Sequence, residues 1–237
     1  MLDYCLGHPQ MLPVLLLAVA VATTLLALAR TLPEQNVLAV AGIIVALSGL
    51  IQIAGATLGT PFGHFIYTQD AGPRLFGLLP CAVPLVWIVV ILNSRGVARL
   101  ILRPWRASPN IGLWTLGVTC MLAVLFDASL EPYAAAINHY WIWQTPKIVP
   151  AWNGVPWTNY FGWAISSLLI LTAVAPWLIN KKPGTMPPDY FPLLIWLLMM
   201  LFLAACDAAH QFRAAAFLGL GTAVLAAFFA LKNLKDD

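Results

Sequence analysis

Charge is what this chain has least of. Asp, Glu, Lys and Arg make up 9% of its 237 residues and hydrophobic residues 61%, against about 25% and about 45–50% in an ordinary soluble domain. A soluble globular fold is excluded, and the mean hydropathy of +0.85 points the same way. The net charge of +3 is small and scattered, which excludes the dense basic face of a nucleic-acid binder. Metal ligands are scarce too. The four cysteines (Cys5, Cys81, Cys120, Cys206) lie in or near apolar segments without C-x-x-C spacing, and read as small apolar packing residues. The chain has only four histidines, so it lacks the His-rich boxes of membrane di-iron hydroxylases, and no metal is expected. No D-x-x-D or D-x-x-x-D pair is present to hold a magnesium diphosphate, as a polyprenyl transferase requires. The last apolar segment has no lysine for a retinal Schiff base. The first residues carry Asp3 and no Lys or Arg, so no leader with a basic start is expected.

What the chain does have is apolar length. A spanning helix needs about 20 mostly apolar residues, and seven segments qualify: 11–29, 37–58, 75–93, 111–127, 158–179, 190–207 and 213–231. The expected fold is all-α, a polytopic membrane bundle of about seven helices forming one domain over 1–237, with membrane lipid as its surroundings. The break between the last two segments has no Gly or Pro to mark it; it is inferred because 190–231 is twice the length of one span. With the connection carrying Arg95, Arg99, Arg103 and Arg106 placed in the cytoplasm, alternation puts Arg30, Lys181, Lys182, Lys232 and Lys235 on the same side. Nine of the twelve basic residues then lie inside, as the positive-inside rule requires. The plasma membrane, an outer N-terminus and a cytoplasmic C-terminus are expected, and residues 94–106 read as a basic helix lying on the inner leaflet. All four histidines (His8, His64, His139, His210) fall on the opposite side. So do Asp3, Asp70, Asp127, Glu131 and Asp207. Their clustering was not used to set the topology and points to a polar site at the outer end.

The densest chemistry lies in 126–163. Asp127 and Glu131 are four apart and share a helix face, with Pro132 ending the regular helix. Two readings fit: a buried acid kept protonated by desolvation, or two solvated carboxylates at a helix end. Trp141, Trp143, Trp152, Trp157 and Trp163 fall within 23 residues. They read either as an interfacial belt or as ring faces able to stabilise a cation. The 59–77 connection is rich in Gly and Pro and adds His64, Tyr67, Asp70 and Arg74; it reads as an interfacial loop or as part of the site. Asp207 and His210 have the spacing of a di-iron ligand pair but stand alone.

Phe62-Gly63-His64-Phe65-Ile66-Tyr67-Thr68, then Gly72-Pro73-Arg74-Leu75, Pro80, Pro84 and Trp87, resembles the first signature of the membrane carotenoid biosynthesis family. Asp127 to Pro132, Trp141-Ile142-Trp143, and Gly154-Val155-Pro156 through Asn159 to Gly162-Trp163 resemble its second part. Members include hydratases acting on γ-carotene and lycopene ψ-ends and on bisanhydrobacterioruberin. The resemblance implies a cofactor-independent hydratase that adds water to the terminal double bond of an acyclic carotenoid. The expected partners are a lipid-soluble polyene and other carotenoid enzymes. Asp127 is the expected acid, with Glu131 or His139 holding water and Asp207 and His210 in reserve. Expected lining residues are His64, Tyr67, Asp70, Arg74, Trp141, Trp143, Trp157, Asn159, Tyr160 and Trp163. The alternatives are an isomerase or cyclase using the same protonation, or a membrane protein that binds pigment or lipid without chemistry.

Overall fold

A computed structural model describes residues 11–144, 150–179 and 188–232. Asp3, Cys5, His8, Lys147, Lys181, Lys182 and Lys235 lie outside the described residues. Among the described residues seven long helices succeed one another. They are α1 (Met11–Ala29), α2 (Glu34–Leu58), α3 (Ala82–Ile101), α4 (Ile111–Glu131), α5 (Trp157–Leu178), α6 (Phe191–Ala209) and α7 (Arg213–Lys232). Six of them are long and apolar enough to cross a membrane, and the apolar α1 is shorter. All but α3 present large apolar side chains outward, Leu38, Leu113 and Phe217 among the most exposed. Such surface is stable only against lipid. This is a helical integral membrane protein, as its hydropathy implies.

Three short antiparallel strand pairs close one end of the bundle. They are β1 (Phe65–Tyr67) with β4 (Trp141–Trp143), β2 (Arg74–Leu75) with β3 (Leu79–Pro80), and β5 (Ala151–Trp152) with β6 (Val155–Pro156). The second of these corrects the third expected span. Residues 75–80 do not begin a helix at 75; they turn back on themselves, with Phe76 at φ 52° and Gly77 at φ 71°. The helix starts at Ala82, where Pro84 sits in the first turn and its missing N–H costs nothing. It then runs on to Ile101, so the basic stretch expected to lie flat is mostly the end of a span. Arg95 is half-buried there and donates to the Leu178 carbonyl at 3.2 Å, with only a 3-10 turn, Arg103–Trp105, beyond it. The break between α6 and α7 forms without glycine, Gln211 taking a positive φ of 68°.

The buried middle of α3, from Trp87 to Leu92, is the axis of the bundle, and α1, α2, α4, α6 and α7 all pack on it. Its polar residues are satisfied within the core. Asn93 Nδ2 donates to Thr24 Oγ1 at 2.8 Å and Ser94 Oγ accepts from Trp196 Nε1 at 3.1 Å. Phe62 wedges between two helices at glycines: a Cβ on Gly55 of α2 or Gly162 of α5 would lie 2.7 or 2.6 Å from its ring. Where α3 crosses α6, a Cβ on Gly96 would lie 2.3 Å from Pro192 Cβ. Gly96→Ala should therefore lower the thermal midpoint in detergent, by the about 1–3 kcal/mol typical of overpacking. Gly117→Ala on α4, where a Cβ meets nothing within 4 Å, should be neutral; equal midpoints for the two would contradict this crossing.

Candidate active site

The last turn of α4 carries Asp127 and Glu131 on one face, and both are buried, at 0% and 2% exposure. Pro132 ends the α-helix, as its ring requires, and the chain widens into a π turn over Pro132–Ile137. The next connection supplies the partners. In β5–β6 the loop residues Asn153 and Gly154 both have positive φ, 51° and 80°. That is the two-residue turn that Asn-Gly favours. It delivers Pro156 to the start of α5 and sets Asn159 in the first turn, buried. The Asn159 amide spends one hydrogen on each acid, at 2.7 Å to Asp127 Oδ2 and 3.0 Å to Glu131 Oε1.

The tryptophan pair is set by strand geometry. In β1–β4, Phe65 faces Trp143, Ile66 faces Ile142 and Tyr67 faces Trp141. Successive side chains in a strand point to opposite faces. Ile66 and Ile142 are therefore exposed, while Phe65, Tyr67, Trp141 and Trp143 form one inward aromatic wall. Both indoles reach the same acid: Trp141 Nε1 and Trp143 Nε1 donate to Glu131 Oε2 at 3.1 and 3.0 Å. Glu131 thus accepts three N–H bonds, whereas Asp127 accepts one and its Oδ1 has no partner among the described residues. No cation among the described residues pairs with either acid.

Beside this cluster lies a mostly apolar cavity of about 660 Å³ between α1, α3 and α6, within the usual range for small-molecule sites. Glu131, Asn159, Tyr67, Asp70, Trp141, Trp143 and Trp163 line it. Trp163 stacks on Trp87, with ring centroids 4.1 Å apart. Val14, Val19, Leu194 and Leu198 line the cavity and are also exposed on the outside of the bundle. The cavity therefore opens sideways between α1 and α6.

Other expected residues lie off this wall. Asp127 sits behind it, joined through Asn159. Arg74 Nη2 donates to the Tyr67 carbonyl at 2.8 Å and so steadies β1. Tyr160 is buried beside Trp152 and Trp157, and Trp157 is half exposed. His64 is exposed, its ring against Gly59. His139 is exposed at a positive-φ position, with its ring nitrogen 3.2 Å from the Ala135 carbonyl. Asp207 is fully buried in the last turn of α6, both carboxyl oxygens without a partner among the described residues. His210 caps that turn, exposed, through the Cys206 carbonyl at 2.9 Å, and is not hydrogen-bonded to Asp207. Among the described residues no three His, Cys, Asp or Glu are grouped to hold a metal. Gln52 was not expected. It is a buried amide on α2 that lines the cavity and accepts from Tyr67 Oη at 2.8 Å. A lone amide inside an otherwise apolar span was the signal for it.

The fold and the site define a polytopic membrane protein with a carboxyl pair at the end of a lipid-facing cavity. The chain belongs to a family described as carotenoid biosynthesis protein, whose profile matches residues 11–226. It is also 36% identical over 116 residues to bisanhydrobacterioruberin hydratase of Haloarcula japonica, a match covering 49% of this chain and 37% of that protein. No solved structure matches significantly.

The Asn159 bridge makes a stability prediction. Asn159→Ala leaves Asp127 Oδ2 and Glu131 Oε1 without its amide, and an unsatisfied buried group costs about 1–3 kcal/mol. The thermal midpoint in detergent should fall clearly; an unchanged midpoint would show that the bridge does not hold α4 to α5.

Proposed function

We propose that this protein is a carotenoid hydratase that adds water across the terminal double bond of an acyclic end group and needs no cofactor. The observation that carries the reading is Glu131: a carboxyl on the wall of an apolar cavity, held by three N–H donors. Family membership supports the substrate class, and the partial match to a protein named as a hydratase supports the reaction.

In this reading Glu131, in its acid form, gives its proton to the less substituted alkene carbon. A tertiary cation forms on the neighbouring carbon. The two indoles and Asn159 then stabilise the carboxylate left behind, because donors already in place need no reorganisation as charge develops. The faces of Trp163 and the β1–β4 rings stabilise the cation. Water attacks the cation and its spare proton returns to Glu131. Asp127 acts one step back, holding the Asn159 amide; this moves the acid role expected of Asp127 to Glu131, because Glu131 is the one on the wall. The cavity follows α6 from Leu203 to Phe191, about 18 Å at 1.5 Å per residue. It therefore takes an end group and part of a polyene roughly 30 Å long, the thickness of the hydrocarbon core. In this reading the acid end faces away from the cytosol, which the distribution of basic residues supports.

Expression in a bacterium that makes an acyclic polyene tests this. A product heavier by one water is expected; an isomeric product would favour a cyclase or isomerase, and unchanged pigment a binding protein. Glu131→Gln keeps the side chain's size but removes its acid, and should lower product by the about 10²–10⁴-fold typical of general acid catalysis, at an unchanged protein level. Retained product in Glu131→Gln, with loss in Asp127→Asn, would return the acid role to Asp127.

A further inference from the structure

The cavity holds a second polar pair that the protonation step does not use. Gln52, near the end of α2 that leads to β1, is 7% exposed and on the cavity wall. Tyr67 Oη donates its single hydrogen to Gln52 Oε1 at 2.8 Å, which leaves the phenol oxygen able to accept. Gln52 Nε2 keeps two N–H groups that no acceptor among the described residues takes up. Tyr67 shares the inward face of the sheet with Trp141, its ring 6.3 Å away, and the Trp141 indole binds Glu131. Burial, with the Glu131 charge adding to it, holds the Tyr67 phenol well above its ordinary titration range, so it stays a neutral donor. An apolar pair could tie α2 to β1 without the cost of burying an amide. The N–H groups and the phenol oxygen therefore offer a donor and an acceptor beside the acid, in a cavity otherwise lined mostly by carbon.

We propose that Gln52 and Tyr67 hold the nucleophilic water, Gln52 Nε2 donating to its oxygen and the Tyr67 phenol oxygen accepting one of its hydrogens. This rests on the hydratase reading and deepens it. The water oxygen forms the C–O bond to the tertiary carbon, and its other proton passes to the Glu131 carboxylate. Without the pair, the cation loses a proton from a neighbouring carbon to Glu131 and returns to alkene. Gln52 and Tyr67 thus decide between capture and return.

The test uses membranes carrying the full-length protein, an acyclic polyene and deuterated water. Mass spectrometry reads the ratio of deuterium-labelled recovered alkene to hydrated product. Gln52→Met and Tyr67→Phe should each raise that ratio tenfold or more over wild type, with deuterium uptake retained. Tyr67→Phe removes one oxygen and keeps the ring packing, so it serves where Gln52→Met folds poorly. An unchanged ratio in these variants, with both products falling in parallel, would mean that the pair is only structural. Wild type that gives no hydrated product would sink the hydratase reading itself, and this assignment with it; wild-type hydration with an unchanged ratio sinks this assignment alone.

Discussion

Two carboxyl groups buried one helical turn apart, with no cation beside them among the described residues, set the terms for this end of the molecule. A buried polar group must find hydrogen-bond partners or forfeit stability. Here the partners all come from one stretch of chain, the connection between α4 and α5 and the first turn of α5. The Asn-Gly turn brings Asn159, and the β1–β4 ladder brings two indole N–H groups. The small strands, unusual in a helical membrane protein, make sense as the means of aiming Trp141 and Trp143 at one oxygen. The π turn after Pro132 carries the chain from the acids toward the strand that covers them.

The bundle keeps that end in place by close packing rather than by charge. Phe62 is gripped between glycines of α2 and α5, α3 meets α6 through Gly96, and Trp87 stacks on Trp163 in the cavity wall. The hydroxyls of Thr24, Thr119 and Thr222 in the spans donate to the carbonyl one turn back. Apolar contacts between helices carry little hydrophobic driving force in lipid, so close-fitting contacts of this kind carry much of the specificity.

Much of this was legible in the sequence. Seven apolar runs gave the helices, and the four-residue spacing put both acids on one face. The i, i+2 spacing of Trp141 and Trp143 suits a strand with both rings on one side, though in an all-α reading the strand itself was not expected. Other features were not legible, for physical reasons. Hydropathy cannot separate a short apolar hairpin from a helix, so 75–80 was joined to α3. Helical periodicity places Asp127 and Glu131 on one face but does not say which of them meets a cavity. On α5, Asn159 and Trp163 are one turn apart and share the inner face, while Trp157 and Tyr160 rotate away from it. Alternation of the spans puts the histidines at one end of the bundle, yet those in the described structure, His64, His139 and His210, are exposed loop and cap residues. Composition near an interface does not distinguish burial from solvation.

The sideways opening between α1 and α6 has one more consequence. A lipid-soluble molecule that enters there passes from one hydrocarbon medium to another and never meets bulk water, so little hydrophobic free energy is gained on entry. Its supply is then set by its mole fraction in the leaflet and by two-dimensional diffusion. The protein should respond to dilution with lipid rather than with buffer.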